Sequence, residues 1–247
     1  MAKKKQLDVP ITGVPSAISA KGELPTVMFR GKVLDAVGAK AVDLVFAIDT
    51  TGSMSDKIEG VLTTCAAFLD NFVALGLDYR VGIIAFGDLT VAGDRIVATP
   101  FMTNLGVMQK TLRKIPRYGG GGNAGESSLE AVHAAIGMQY RATAVKVLIL
   151  ITDEPALLYT HSPMTTTLLL KQREILTYVI SPAIDYFKEM AKATGGSWMQ
   201  ITTAADFSAL LSMLRQLAKD VSVVVNDVHR LSRGSVQSYL QLVKSTD

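Results

Sequence analysis

Two aspartates, far apart in the chain, carry most of the chemistry legible in these 247 residues. Asp49 closes the apolar run Val42, Leu44, Val45, Phe46, Ala47, Ile48, and hydroxyls follow at Thr51, Ser53 and Ser55. Asp153 closes a second such run, 145–152 (VKVLILIT). One carboxylate with two alternate hydroxyls is a hard, oxygen-only donor set, suited to Mg²⁺ or Mn²⁺, with Ca²⁺ as the larger alternative. The same residues also fit a strand leading into a helix capped by Ser53 or Ser55, which needs no metal. The second aspartate bears on that choice. Two carboxylates buried at one edge of a sheet repel, and their pKa values rise, unless a cation or a proton lies between them.

The elements that must position these groups follow from hydrophobic periodicity. Near-continuous apolar runs suit strands buried on both faces of a parallel sheet. Residues 42–48, 79–86, 145–152, 175–180 and 198–201 read as such strands, and 95–101 as a short one, antiparallel at an edge. Between them, helical spacing covers 56–75, 105–115, 126–140, 165–173, 183–194 and 204–219. The first helix shows Ile58, Leu62, Cys65, Leu69, Phe72 and Val73 along one face. The alternation predicts an α/β fold: a doubly wound, mostly parallel central sheet, Rossmann-like, with helices on both faces and one antiparallel edge strand. Such sheets bind ligands at the C-terminal ends of their strands, where both aspartates fall.

Residues 1–40 read as an N-terminal extension, 41–219 as the domain and 220–247 as a C-terminal extension. In the first, 26–34 suggests a strand pair bent at Gly31. In the last, VSVVV (221–225) looks β-like and 236–243 amphipathic. Gly119–Gly122 precede Asn123, Ala124 and Gly125 at the opening of a helix. Four consecutive glycines are either a flexible connector or a backbone that passes close to a ligand. The loop lacks the Lys-Ser/Thr ending of a phosphate-binding P-loop. Asp88 ends the second strand, as a support to the site or a simple cap, and Glu154 either contacts the site or, the favoured reading, is solvated.

Composition narrows the classes. With 49% hydrophobic and 19% charged residues, the chain can bury a sizeable core. The net charge of +3 is small, and Lys3–Lys5 read as a solvated tail rather than a nucleic-acid arm. One cysteine, Cys65, excludes a disulfide framework and is expected in the core. The early run QLDVPITGVPS is broken by Asp8, Pro10 and Pro15, so no signal peptide is evident, and no apolar run approaches the ~20 residues of a membrane span. The expected compartment is the cytosol.

Asp49-Thr50-Thr51-Gly52-Ser53-Met54, the glycine-rich loop from Gly119 to Glu126, and Leu150-Ile151-Thr152-Asp153 agree in order and spacing with a known pattern. Over roughly 41–218 the chain resembles a von Willebrand factor type A (vWA) domain with a metal-ion-dependent adhesion site, closer in form to bacterial and intracellular members than to integrin inserts. The resemblance implies that Asp49, Thr51 and Ser53 bind the metal and that Asp153 contributes directly or through water. It also implies that the first and fourth strands are neighbours. The fourth ligand, commonly a loop threonine, falls here on Gly122 or Asn123; only Asn123 offers a side-chain oxygen. One metal position is left for an Asp or Glu of a partner protein. The implied role is an adaptor or assembly subunit, in relatives often beside ATPases, with no nucleic acid and no membrane involved.

Three other readings compete with this one. A metal-free scaffold of the same fold keeps every element above. A phosphoryl-transfer enzyme would use Asp49 as nucleophile. Against it, haloacid dehalogenase-like enzymes carry a second Asp where this chain has Thr51, and P-type ATPases a Lys where it has Thr50. A zinc site is disfavoured because His133, His161 and His229 are scattered without a partner at ligand spacing.

Overall fold

The computed structural model describes residues 40–55, 57–74, 76–122, 125–201 and 207–245. The expectations for Lys3–Lys5, for 26–34 and for Asn123 lie outside these. In chain order the elements are β1 (Ala41–Asp49), a 3-10 turn (Gly52–Met54), α1 (Ile58–Ala74), β2 (Asp78–Phe86), β3 (Val97–Ala98), α2 (Leu105–Leu112), α3 (Ser128–Ile136), β4 (Val145–Ile151), α4 (Pro163–Gln172), β5 (Ile175–Ser181), α5 (Asp185–Thr194), β6 (Trp198–Gln200), α6 (Phe207–Ser232) and α7 (Val236–Lys244).

The apolar runs pair as their burial demands. β1 is buried along its whole length and lies between β2 and β4, parallel to both, in a six-stranded sheet of order β3-β2-β1-β4-β5-β6. β3 is the antiparallel edge strand, shorter than the sequence suggests; beyond it a bridge joins Val81 and Met102. Side chains alternate across β1 with period two. Val42, Leu44, Phe46 and Ile48 meet α1 (Ile58, Val61, Cys65, Phe68, Leu69, Phe72) and α6 (Leu217, Val221, Val225, Val228). Val45 and Ala47 turn the other way, toward α3 (Leu129, Val132), Leu170 of α4 and Phe187 and Met190 of α5. Fully burying each large apolar side chain contributes about 1.5–3 kcal/mol, so these two layers hold the sheet.

Two readings change. Val73 is 56% exposed and lies off the buried stripe of α1, which runs instead through Val61 and Phe68. VSVVV is not β-like: it lies inside α6, which continues past residue 219. Val221, Val225 and Val228 recur at helical spacing and enter the first core layer, so tertiary packing overrides their β preference. At the N-terminal end of β1, fully buried Asp43 accepts hydrogen bonds from Arg80 (Nη2, 2.6 Å) and Arg141 (backbone N, 2.7 Å; Nε, 2.9 Å). Among the described residues no helix is long and apolar enough to cross a membrane.

Candidate metal centre

β1 and β4 are hydrogen-bonded neighbours, and the chain leaves β1 toward β2 on the far side. Connections that part in this way open a crevice at the strands' C-terminal ends. The parallel register pairs Ile48 with Ile151, which brings Asp49 beside Thr152 and near Asp153. Thr152 Oγ1 donates to Asp49 Oδ2 at 2.8 Å. The other carboxylate oxygen, Oδ1, accepts from Thr51 N at 3.0 Å and Thr51 Oγ1 at 2.6 Å, a turn that Asp residues form with the backbone two positions on. The 3-10 turn then brings Ser53 Oγ to 3.2 Å from Thr51 Oγ1, and Ser53 donates to Asp153 Oδ1 at 2.9 Å. Asp49, Thr51, Ser53 and Asp153 thus form one connected set. The first, second and fourth are buried, and Ser53 faces solvent.

The electrostatics are those of crowded carboxylates. Burial pushes the Asp49 carboxyl up to about 6, against the pull of its bonds from Thr51 and Thr152, and Asp153 adds a smaller push. Glu126, at the entrance to α3, is 5% exposed. Burial first, then the charges of Asp49 and Asp88, carry its carboxyl up to about 8, while a hydrogen bond with Thr51 pulls it back. Its Oε2 is buried with no hydrogen-bond partner, as is Oδ2 of Asp88. Asp88 Oδ1 caps its own turn, accepting from Thr90 N and Oγ1 at 2.8 and 2.6 Å. Glu154 is half-buried rather than in solvent, and burial raises its carboxyl. Lys57 is 6% exposed; its Nζ donates to Asp153 Oδ2 at 3.2 Å and to the Ser53 carbonyl at 3.0 Å.

The glycine loop passes close to this turn. A Cβ on Gly52 would come within 3.1 Å of the Gly119 carbonyl. One on Gly120, whose φ is +75°, would meet Glu126 Oε1 at 3.3 Å and Thr51 Cβ at 3.4 Å. Gly120 is therefore favoured by packing against Thr51 and Glu126 and by its left-handed backbone. Gly122 is favoured by a left-handed backbone alone (φ +66°), and a Cβ on Gly119 would meet open space.

The donor set fits a small divalent ion. Ligand oxygens at about 2.0–2.1 Å from an octahedral ion are separated by about 2.9 Å along an edge. The successive spacings here, 2.6, 3.2 and 2.9 Å, are hydrogen-bond distances within the set, so it is the oxygen-only chemistry of the donors that fits such an ion. Among the described residues no three His, Cys, Asp or Glu side chains gather as a metal-binding group, so the site rests on two carboxylates and two hydroxyls. That composition suits Mg²⁺, Mn²⁺ or Ca²⁺ rather than zinc.

Sequence reasoning missed Thr152, Lys57 and Glu126 as members of this cluster. Thr152 was recoverable as the hydroxyl facing Asp49 in the expected β1–β4 register. Lys57 was recoverable as an ammonium one turn beyond Ser53. It also treated the histidines as unrelated. His133 and His161 stack with ring centroids 3.4 Å apart and planes 6° apart, and His133 Nε2 lies 3.1 Å from Thr166 Oγ1. Burial, and then the neighbouring His161, lower the His133 pKa.

A family model described as von Willebrand factor type A domain matches residues 43–217. Among curated proteins, the alpha-protein kinase vwkA of Dictyostelium discoideum is 26% identical over 157 residues, 60% of this chain and 25% of that protein. Among solved structures, the open conformation of the pilus adhesin SpaC from Lactobacillus rhamnosus GG aligns with a TM-score of 0.55 at 18% identity, covering 74% of this chain and 30% of the adhesin. The chain therefore spans a quarter of the length of the curated relative and under a third of the adhesin. At that identity the adhesin speaks for the fold alone.

Proposed function

The chain belongs to the von Willebrand factor type A family, and from that premise we propose that it recognises an acidic side chain of a partner protein at a divalent-cation site. The observation that carries this reading is the connected oxygen set of Asp49, Thr51, Ser53 and Asp153 at the β1–β4 crevice. These four residues would hold Mg²⁺, or Mn²⁺ or Ca²⁺ in its place. Bound there, such an ion supplies a concentrated positive charge that an outside carboxylate oxygen can meet. The protein's own contributions are positional. Thr152 and the Thr51 amide fix the Asp49 carboxylate, and the 3-10 turn presents Ser53 at the solvent face.

We propose recognition rather than catalysis, in an adaptor or assembly subunit inside the cell. Asp49 is 0% exposed and both its oxygens already accept hydrogen bonds, which leaves a poor nucleophile. The name of the curated relative describes a kinase, but this chain covers only a quarter of that protein. A metal-independent scaffold is the second reading, favoured by the ion pair of Lys57 with Asp153. Thermal melting with added MgCl₂ or MnCl₂ separates the two. A ligand that binds only the native state raises Tm, by about 2.7 kcal/mol of added stability at a hundredfold excess over Kd. The first reading predicts a rise for the wild type that Asp49→Ala abolishes. An unchanged melt in both leaves only the scaffold.

A further inference from the structure

Lys57 stands between the two readings. Its ammonium touches Asp153 Oδ2 at 3.2 Å and the Ser53 carbonyl at 3.0 Å, both on residues of the proposed metal set, and the side chain is 6% exposed. A buried ammonium is costly unless paired, and this one is paired. A purely structural role, pinning the start of α1 to the end of β4, would account for the contact but not for its place beside the metal oxygens.

The net charge of the centre depends on this residue. Asp49 and Asp153 bring two negative charges when ionised, and a divalent ion alone would neutralise them. With Lys57 present, the loaded centre is more positive by one charge than the same centre without it. The ammonium also holds an oxygen of Asp153 that an incoming cation must share or take. Like charges at short range in a buried setting repel strongly.

We infer that Lys57 is a specificity-determining residue of this centre: it weakens divalent-cation binding and adds a positive charge to the loaded site, which favours an acidic partner over a neutral one. The inference rests on the metal-dependent reading above. It predicts that Lys57 substitutions strengthen cation binding, which loss of a merely structural contact would not do.

The test is calorimetric titration of chelator-stripped wild type, Lys57→Met, Lys57→Gln and Asp49→Ala with MnCl₂, at one pH and ionic strength. The Mn²⁺-loaded proteins are then titrated with acetate. Expected are Mn²⁺ binding at least tenfold tighter in both Lys57 variants than in the wild type, none in Asp49→Ala, and acetate binding at least threefold weaker in the loaded Lys57 variants. Mn²⁺ binding to a Lys57 variant but not detectably to the wild type supports the inference in its strongest form. Lys57→Gln keeps a hydrogen-bond donor for Ser53 and Asp153, and carries the comparison should Lys57→Met fail to fold. Wild-type binding with no tightening in a folded Lys57 variant overturns the role of Lys57 and leaves the metal site standing. Absence of binding in every protein overturns both.

Discussion

Replacing Thr152 with valine removes one hydroxyl, whose short bond goes to Asp49 and which also accepts a longer one, 3.3 Å, from the Glu154 amide. Thr152 is wholly buried and donates to Asp49 Oδ2 at 2.8 Å. At pH 7.5 Asp49, with its pKa near 6, is mostly ionised, so the lost bond is charge-assisted and sits at about 1.5–3 kcal/mol. Thr177→Val is the matched control. Thr177 is equally buried, and its hydroxyl donates at 3.2 Å to a neutral carbonyl, that of Ile175. Its loss should cost about 0.5–1.5 kcal/mol. The gain from burying a methyl in place of a hydroxyl is common to both and cancels in the comparison. At about 2–4 °C per kcal/mol for a domain of this size, a loss of about 2 kcal/mol lowers Tm by about 4–8 °C for Thr152→Val, and about 1 kcal/mol lowers it by about 2–4 °C for Thr177→Val. Urea denaturation followed by circular dichroism, on chelator-stripped protein at pH 7.5, gives both free energies. A Thr152→Val cost no greater than that of Thr177→Val would refute the claim that this hydroxyl supports a buried charge.

Other expectations follow from the same structure. Asp43→Ala removes the buried acceptor shared by the half-buried guanidiniums of Arg80 and Arg141 and by the Arg141 amide, while Arg141 keeps Asp78; a cost of about 1.5–3 kcal/mol should appear as a fall in the urea midpoint, and a fall equivalent to less than about 1 kcal/mol would contradict the assigned network. The His133 pKa is lowered in the folded state, so the native protein binds this proton less tightly than the unfolded chain. Its contribution is complete above the ordinary value near 6.5 and is lost as pH falls through it. Melting temperatures should therefore drop between pH 7.5 and 5.5 more steeply in the wild type than in His133→Phe, which keeps an aromatic ring over His161; equal slopes would rule this out.

Much of the arrangement was legible before any coordinates. Two apolar runs that end in Asp49 and Asp153 predict buried parallel strands, the family resemblance implies that they are neighbours, and the sheet places β1 beside β4. The glycine run signalled a close approach, though what it approaches is Thr51 and Glu126 of the chain itself. Most of the failures depended on contacts that periodicity does not encode; the segment 221–225 is the exception. Val221–Val225 carries strand-like residues, yet its helical recurrence continues to Val228 and buries against the sheet. Nothing in the periodicity singles out Lys57, and only folding shows its ammonium turned in toward Asp153. In the sequence Glu126 reads only as the first residue of a helix; burial beside Asp49 and Asp88 places it against the cluster. His133 and His161 lie in a helix and a loop, and no spacing rule stacks them.

The central claim is that the oxygens of Asp49, Thr51, Ser53 and Asp153 converge on one divalent ion, and anomalous diffraction from crystals grown with manganese addresses it most directly. The account predicts a manganese peak within bonding distance of the Thr51 and Ser53 hydroxyls and of at least one of the two carboxylates. A map with no peak in that crevice, and the Lys57 ammonium still seated on Asp153, would contradict it.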